Sequence, residues 1–176
     1  LAFIVKKLRE ASLLKDKAHE KGEKMMITEH QVVIQSPVSS QEGVFETIAE
    51  LAVQNGIATD TNPVAAGLKQ RESQSTTGFQ EGFAIPHTKS EAITQPAIIV
   101  VRTETKIEWE AFDGQPAFFF ISLLIPEAEA GTTHLQALSA LSGALMDEKV
   151  RQALLRAQST KEIAALIHKV IKGDGE

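Results

Sequence analysis

Residues 117–125, AFFFISLLI, are apolar at almost every position, with only Ser122 interrupting the run. A strand with one wet face alternates apolar and polar residues, whereas a strand covered on both faces reads as a continuous apolar run. This stretch is therefore expected to be a central strand with helices packed on both of its sides. The turn pair Asp113-Gly114 precedes it. Ala97 to Arg102 reads as a second strong strand and Phe83 to Ile85 as a short third one. Pro86 has no N–H to give a ladder and biases Ile85 towards extended geometry, so the third strand is expected to stop there, with His87 at its exit. Two more extended pieces are expected, at Met25 to Ile27 and Val32 to Gln35.

Helices flank these strands. Ser39 with Glu42 reads as a capping box, and Val44, Phe45, Ile48, Leu51 and Ala52 recur at helical spacing until Asn55-Gly56 closes the segment. Asp60 or Thr61 opens a second helix with Pro63 in its first turn, reaching Glu72 or Ser73. Thr132 or Thr133 is expected to cap a third helix running to Met146, followed by helices over 147–157 and, from the Ser159/Glu162 box, to Ile171; the closing KGDGE reads as disordered. The fold expected is α/β: a mixed β-sheet flanked by helices on both faces, forming a domain over 25–176. Residues 1–24 read as an N-terminal helical extension or linker, with Leu1, Ile4, Val5, Leu8 and Ala11 at helical spacing. A chain that opens on Leu is expected to be a fragment or a processed product.

Composition narrows the function classes. The chain has 176 residues, 43% of them hydrophobic and 23% charged, and no cysteine. Disulfides, thiolate metal sites and a thiol nucleophile are thereby excluded on this chain, and a reducing, cytoplasmic setting is expected. No apolar run approaches the roughly 20 residues that span a bilayer, so no direct membrane insertion is expected. The net charge of −5 is uneven, with basic residues in excess over acidic ones within 1–24 and the remainder strongly acidic. An acidic body with one Trp and no Tyr is a poor nucleic-acid binder. The basic leader is read as a solvated helix or linker, with contact to an anionic surface as the alternative.

Chemistry concentrates at two of the five histidines. His19, His30 and His168 lie on polar or helical stretches and are read as surface or structural. His87 follows a strand end and His134 lies near the first turn of a helix, in TTHLQAL. Strand exits and helix starts meet at one edge of an α/β sheet, where free N–H groups and the helix dipole suit an anion. Arg71 offers a bidentate guanidinium, and Thr77 and Thr88 offer hydroxyls. A neutral imidazole, with a reference pKa of about 6.5, is a competent nucleophile near pH 7. The spacing leaves three readings open: a phosphoryl-accepting site, a His/His metal site without support from nearby acidic residues, and two satisfied structural histidines.

The stretch RESQSTTGFQEGFAIPHTKSEAI carries more than spacing. It resembles the signature of the fructose/mannitol-class enzyme IIA domains of the bacterial phosphoenolpyruvate-dependent sugar phosphotransferase system, matching at Arg71, Glu72, Thr76, Thr77, Gly78, Gly82, Ala84, Pro86 and His87. IEWEAFDGQPAFFFISLLIPE and THLQALSALSGALMDEKVRQALL are similar to the fructose-type branch, and the resemblance spans about 27–172. Many members have Gly after the active histidine, where this chain has Thr88.

The resemblance implies an α/β sandwich and a phosphotransferase that works through a phosphohistidine intermediate. His87 would take a phosphoryl group from the phosphohistidine carrier HPr and pass it to a cysteine of an enzyme IIB domain, on another chain or another part of the parent polypeptide. His134 and Arg71 would assist, and neither metal nor cofactor is required. Phe83, Ile85 and Leu135 could line an apolar rim, with core packing as the plainer role for each. Uptake of fructose or a related sugar is the function implied; the alternative is a regulatory module of the nitrogen-related branch, whose histidine phosphorylation controls a partner protein.

Overall fold

The strand at 117–125 is the centre of the molecule. The computed structural model describes residues 2–7, 9 and 26–172. Its strands are β1 (Val32–Ser36), β2 (Phe83–Ala84), β3 (His87–Ser90), β4 (Ala97–Ile107) and β5 (Ala117–Pro126), in one five-stranded sheet of order β1-β4-β5-β2, with β3 also paired to β5. β4 and β5 are antiparallel, whereas β1 on β4 and both β2 and β3 on β5 are parallel, so the sheet is mixed.

Helices α1 (Gln41–Gln54) and α2 (Thr61–Gln74) lie on one face, and α3 (Thr132–Leu145), α4 (Glu148–Arg156) and α5 (Thr160–Lys172) on the other. Strand alternation divides β5 between two cores. Phe120 and Leu124 pack with Phe45, Ile48 and Trp109 in the first, while Phe119, Ile121 and Leu123 pack with Leu141, Leu154 and Ile163 in the second. All five of these β5 side chains are fully buried. Each contributes about 2–3 kcal/mol of apolar burial, which explains the unbroken apolar run.

Several local details differ from the sequence reading. The cap of α1 is Ser40, whose hydroxyl accepts from Gly43 N–H, not Ser39. The residue preceding α3 is Gly131, and neither Thr132 nor Thr133 caps it; both lie inside the helix. β4 runs five residues past Arg102, to Ile107, through an exposed polar stretch whose pairing with β5 is irregular until Ile107 faces Ala117. Met26 and Ile27 form no strand, although Met26 C=O accepts from Ile98 N–H. Residues 2–7 and 9 are helical. The remainder of the expected leader helix, and 173–176 of the expected disordered tail, lie outside the described residues.

The difference that matters most is at Pro86. The chain does not leave the sheet there. β2 and β3 run beside β5 with the same offset, Phe83 facing Phe119 and His87 facing Leu123. They form one edge strand whose ladder is interrupted at Ile85-Pro86. Pro86 still accepts from Leu123 N–H but has no N–H to give β5, and the N–H of Ile85, on the opposite edge, donates to Thr77 C=O. His87 is thus the first residue of a strand, not a loop residue beyond one.

Replacing Phe120, shared by β5 and the α1 core, with Ala should destabilise the fold by about 3–5 kcal/mol through the cavity it leaves. Urea unfolding followed by circular dichroism measures it.

Candidate functional site

The edge strand presents alternate residues to opposite sides. His87 points to the side of Phe83 and Ile85, where α3 brings His134. Thr88 points to the other side, against α2, where a Cβ on Gly67 would collide with its hydroxyl. α2 packs along β3 and delivers Arg71 to the same edge. Helices from both faces therefore meet over one short strand.

His87 is 7% exposed, and both ring nitrogens are engaged. Arg71 Nε lies 3.1 Å from Nε2, and Ile85 C=O lies 2.8 Å from Nδ1. A guanidinium N–H only donates, so Nε2 accepts through its lone pair. Nδ1 must then carry the proton and donate to Ile85. One tautomer is fixed, with its nucleophilic lone pair on Nε2. Burial holds the His87 pKa below its ordinary 6.5; Arg71 and His134 push the same way, against the Ile85 carbonyl and Glu72. The ring is neutral at pH 7.

His134 stands beside it, with ring centroids 5.5 Å apart and tilted by 45°. Burial also lowers its pKa, followed by the charges of Lys89 and Arg71, with the Ala130 carbonyl opposing. Arg71, His87, Thr88 and His134 line one open pocket of about 360 Å³, together with Gly67, Gln70, Gln74, Lys89 and Glu127. Four of the five residues singled out from sequence come together there.

Thr77 is placed differently. It does not line this pocket, and its hydroxyl donates to Glu72 Oε2 while its N–H donates to Glu72 Oε1 at 2.9 Å. Its carbonyl accepts from Ile85 N–H at 3.0 Å. A continuous chain thus runs from the Glu72 carboxylate through Thr77 and Ile85 to Nδ1 of His87. Arg71 is steadied in parallel, its Nη1 donating to Ser75 C=O at 2.7 Å. Sequence reading matched Glu72 to the motif but gave it no role, and it did not single out Lys89 or Glu127. A carboxylate just before the hydroxyls of Thr76 and Thr77 was the available signal for Glu72, and Lys89 carried none, because HTKS does not read as a strand.

The glycines of the motif answer to close packing. Gly82 has φ +88 and its backbone lies against the Phe118 ring, while Gly78 lies against the Glu110 carbonyl, so a Cβ at either would clash. Of the apolar rim candidates, Phe83 and Ile85 are core residues, and Leu135 is exposed.

Fold and site together define an α/β domain of the enzyme IIA type, with a neutral, oriented imidazole between an arginine and a second histidine. The chain belongs to the family "Phosphoenolpyruvate-dependent sugar phosphotransferase system, EIIA 2", whose model matches residues 25–170. It is 36% identical over 141 residues to the fructose-specific EIIA component of the phosphotransferase system of Haloferax volcanii, covering 80% of this chain and 91% of that one. It is 35% identical over 143 residues to the fructose-specific EIIABC component of Bacillus subtilis, covering 81% of this chain and 22% of that longer protein. Among solved structures, nitrogen regulatory protein IIA-Ntr from Neisseria meningitidis superposes with a TM-score of 0.75 at 28% identity, over 82% of this chain and 97% of that one. Among the described residues, no group of three or more His, Cys, Asp or Glu side chains is arranged to hold a metal ion, and no helix is long and apolar enough to cross a membrane.

Replacing Arg71 with Ala removes a cation and opens the pocket, so the His87 midpoint should rise towards 6.5, as followed by histidine NMR titration. The same depressed pKa makes the unfolded chain bind a proton more readily than the folded one. Its contribution to stability should therefore fall as pH drops below about 6.5 towards the folded midpoint, and chemical unfolding at several pH values measures this.

Proposed function

We propose that this domain is a phosphocarrier that takes a phosphoryl group onto Nε2 of His87 from phospho-HPr and hands it to an enzyme IIB cysteine during uptake of fructose or a related sugar. The observation that carries this reading is the pair of hydrogen bonds on the His87 ring, which leaves the lone pair on the nitrogen facing Arg71. The names of two relatives, a fructose-specific EIIA component and a fructose-specific EIIABC component, support the sugar and the hand-off to a B domain. The working compartment under this reading is the cytoplasm, and residues 25–176 are the transferring unit.

The step balances simply. The Nε2 lone pair forms the new P–N bond as the donor's P–N bond breaks and its electron pair returns to the donor nitrogen. Nδ1 keeps its proton, and the Ile85 carbonyl stabilises the positive ring that results. Arg71 Nε–H, no longer facing a lone pair, turns to a phosphoryl oxygen, and His134 donates a second hydrogen bond from its neutral ring. Little covalent machinery is needed, because positioning and charge stabilisation are the main requirements of phosphoryl transfer. Burial of the ring keeps bulk water from the P–N bond until the acceptor docks. The exposed Leu135, next to His134, offers an apolar contact for a transient partner.

The likeness to IIA-Ntr supports a second reading, in which the same phosphorylation of His87 controls a regulatory partner. Presenting the phosphorylated domain to IIB acceptors separates the two, because transfer to a IIB cysteine supports transport. Binding of a regulatory partner to only one phosphorylation state of the domain, with no transfer to IIB, supports regulation.

With enzyme I, HPr and radiolabelled phosphoenolpyruvate, His87→Ala should abolish labelling, and normal labelling would place the acceptor elsewhere. His134→Ala should keep labelling but slow transfer by about 10²–10³-fold, the usual cost of one lost transition-state donor. The initial rate should climb with pH to a plateau whose midpoint lies below 6.5, as the attacking ring loses its proton. Removing residues 1–24 should leave both half-reactions unchanged.

A further inference from the structure

We infer that Lys89 is a phosphoryl-binding residue of this site, its ammonium moving onto the phosphoryl oxygens once His87 is charged. The inference rests on the reading of His87 as the phosphoryl acceptor and adds a residue to it. Lys89 lies two positions after His87 on β3, where strand alternation sends both side chains to one side of the sheet. His87 at one end of that step is buried, and Lys89 at the other is exposed. Both line the pocket that holds Arg71 and His134.

The charges in that pocket favour a second cation near an incoming phosphoryl group. A phosphoryl group brings close to two negative charges, and the Glu127 carboxylate already lines the same wall. Arg71 supplies one positive charge and has Nη1 committed to Ser75 C=O. In the uncharged pocket the pKa of His134 is held low by burial and by Lys89 and Arg71, so its ring meets an incoming group as a donor without a full charge. Lys89 is the remaining cation lining the pocket, and its charge is already felt at His134. No carboxylate lies within ion-pair distance of Lys89 among the described residues, so its ammonium is not committed to a structural partner. A lysine suits the role because its flexible stem lets a compact charge follow the phosphoryl group as the donor leaves.

The test compares Lys89→Met and Lys89→Arg with the parent protein, using two donors: phospho-HPr and phosphoramidate, a small donor that has no docking surface. Lys89→Met should label His87 about tenfold more slowly with both donors, and its phosphohistidine should hydrolyse at a changed rate; Lys89→Arg should retain rates within about threefold. Histidine NMR of the uncharged protein should show the His134 midpoint rising in Lys89→Met and staying in place in Lys89→Arg. Parent-like labelling of Lys89→Met by phosphoramidate overturns the inference. A loss confined to phospho-HPr also overturns it, because Lys89 would then serve docking. Absence of label on His87 of the parent protein with either donor would instead overturn the underlying reading of the site.

Discussion

The site depends on a grip applied to one ring from two sides. Ile85 C=O holds Nδ1 of His87, and Arg71 Nε–H holds Nε2. Either contact alone would leave the imidazole free to change tautomer or flip. Together they set both, because a carbonyl only accepts and a guanidinium only donates. The ring is nearly buried, so each contact is worth more than it would be in water, and losing either would leave a polar atom unsatisfied. Burial, and with it the neighbouring guanidinium, holds the ring in its neutral form.

The fold makes the grip possible by breaking an edge strand without moving it. Pro86 removes one ladder donor, and the register on β5 continues unchanged across the gap. At the gap, Ile85 directs its N–H to Thr77 and leaves its carbonyl to His87. Gly82 and Pro86 bond β5 through their carbonyls, and the groups of Ile85, between them in alternation, face the open edge where Thr77 and His87 take them. Thr77 is itself clamped by Glu72, so the position of the reacting nitrogen is traced back to a carboxylate on α2. The covered strand β5 supplies the rigidity, since side chains packed on both faces leave it little room to shift.

What could be read in advance follows from where the information lies. The central strand and the flanking helices were legible because an apolar run and helical periodicity are local in the chain; the meeting of His87 and Arg71 with His134, which lies outside the motif, was implied only by the family resemblance. The strand at His87 was not, since HTKS has no strand pattern of its own and is held extended by pairing with β5. The caps at Ser40 and Gly131 were missed by a residue or two, as neighbouring Ser and Thr residues compete for the same role. Thr77 was read as a donor for an anion because its hydroxyl is visible in sequence and its partner is not. Glu72 sits five residues earlier, across a helix end, and takes that hydroxyl for itself.

A carrier of the kind proposed is judged on two transfers, and this limits how firmly its site could hold the cargo. Any interaction that stabilises the charged intermediate as much as the transition states makes acceptance easier and release harder. A cage of fixed cations would trap the phosphoryl group. The pocket holds instead one guanidinium already sharing a hydrogen bond with Ser75, one imidazole kept neutral, one exposed lysine and an opposing glutamate. Strong geometry is thus paired with moderate charge. The His87 ring is tightly fixed, and the groups around it are partly committed or exposed. On the proposed reading, that division would let the same nitrogen accept from one partner and give way to the next.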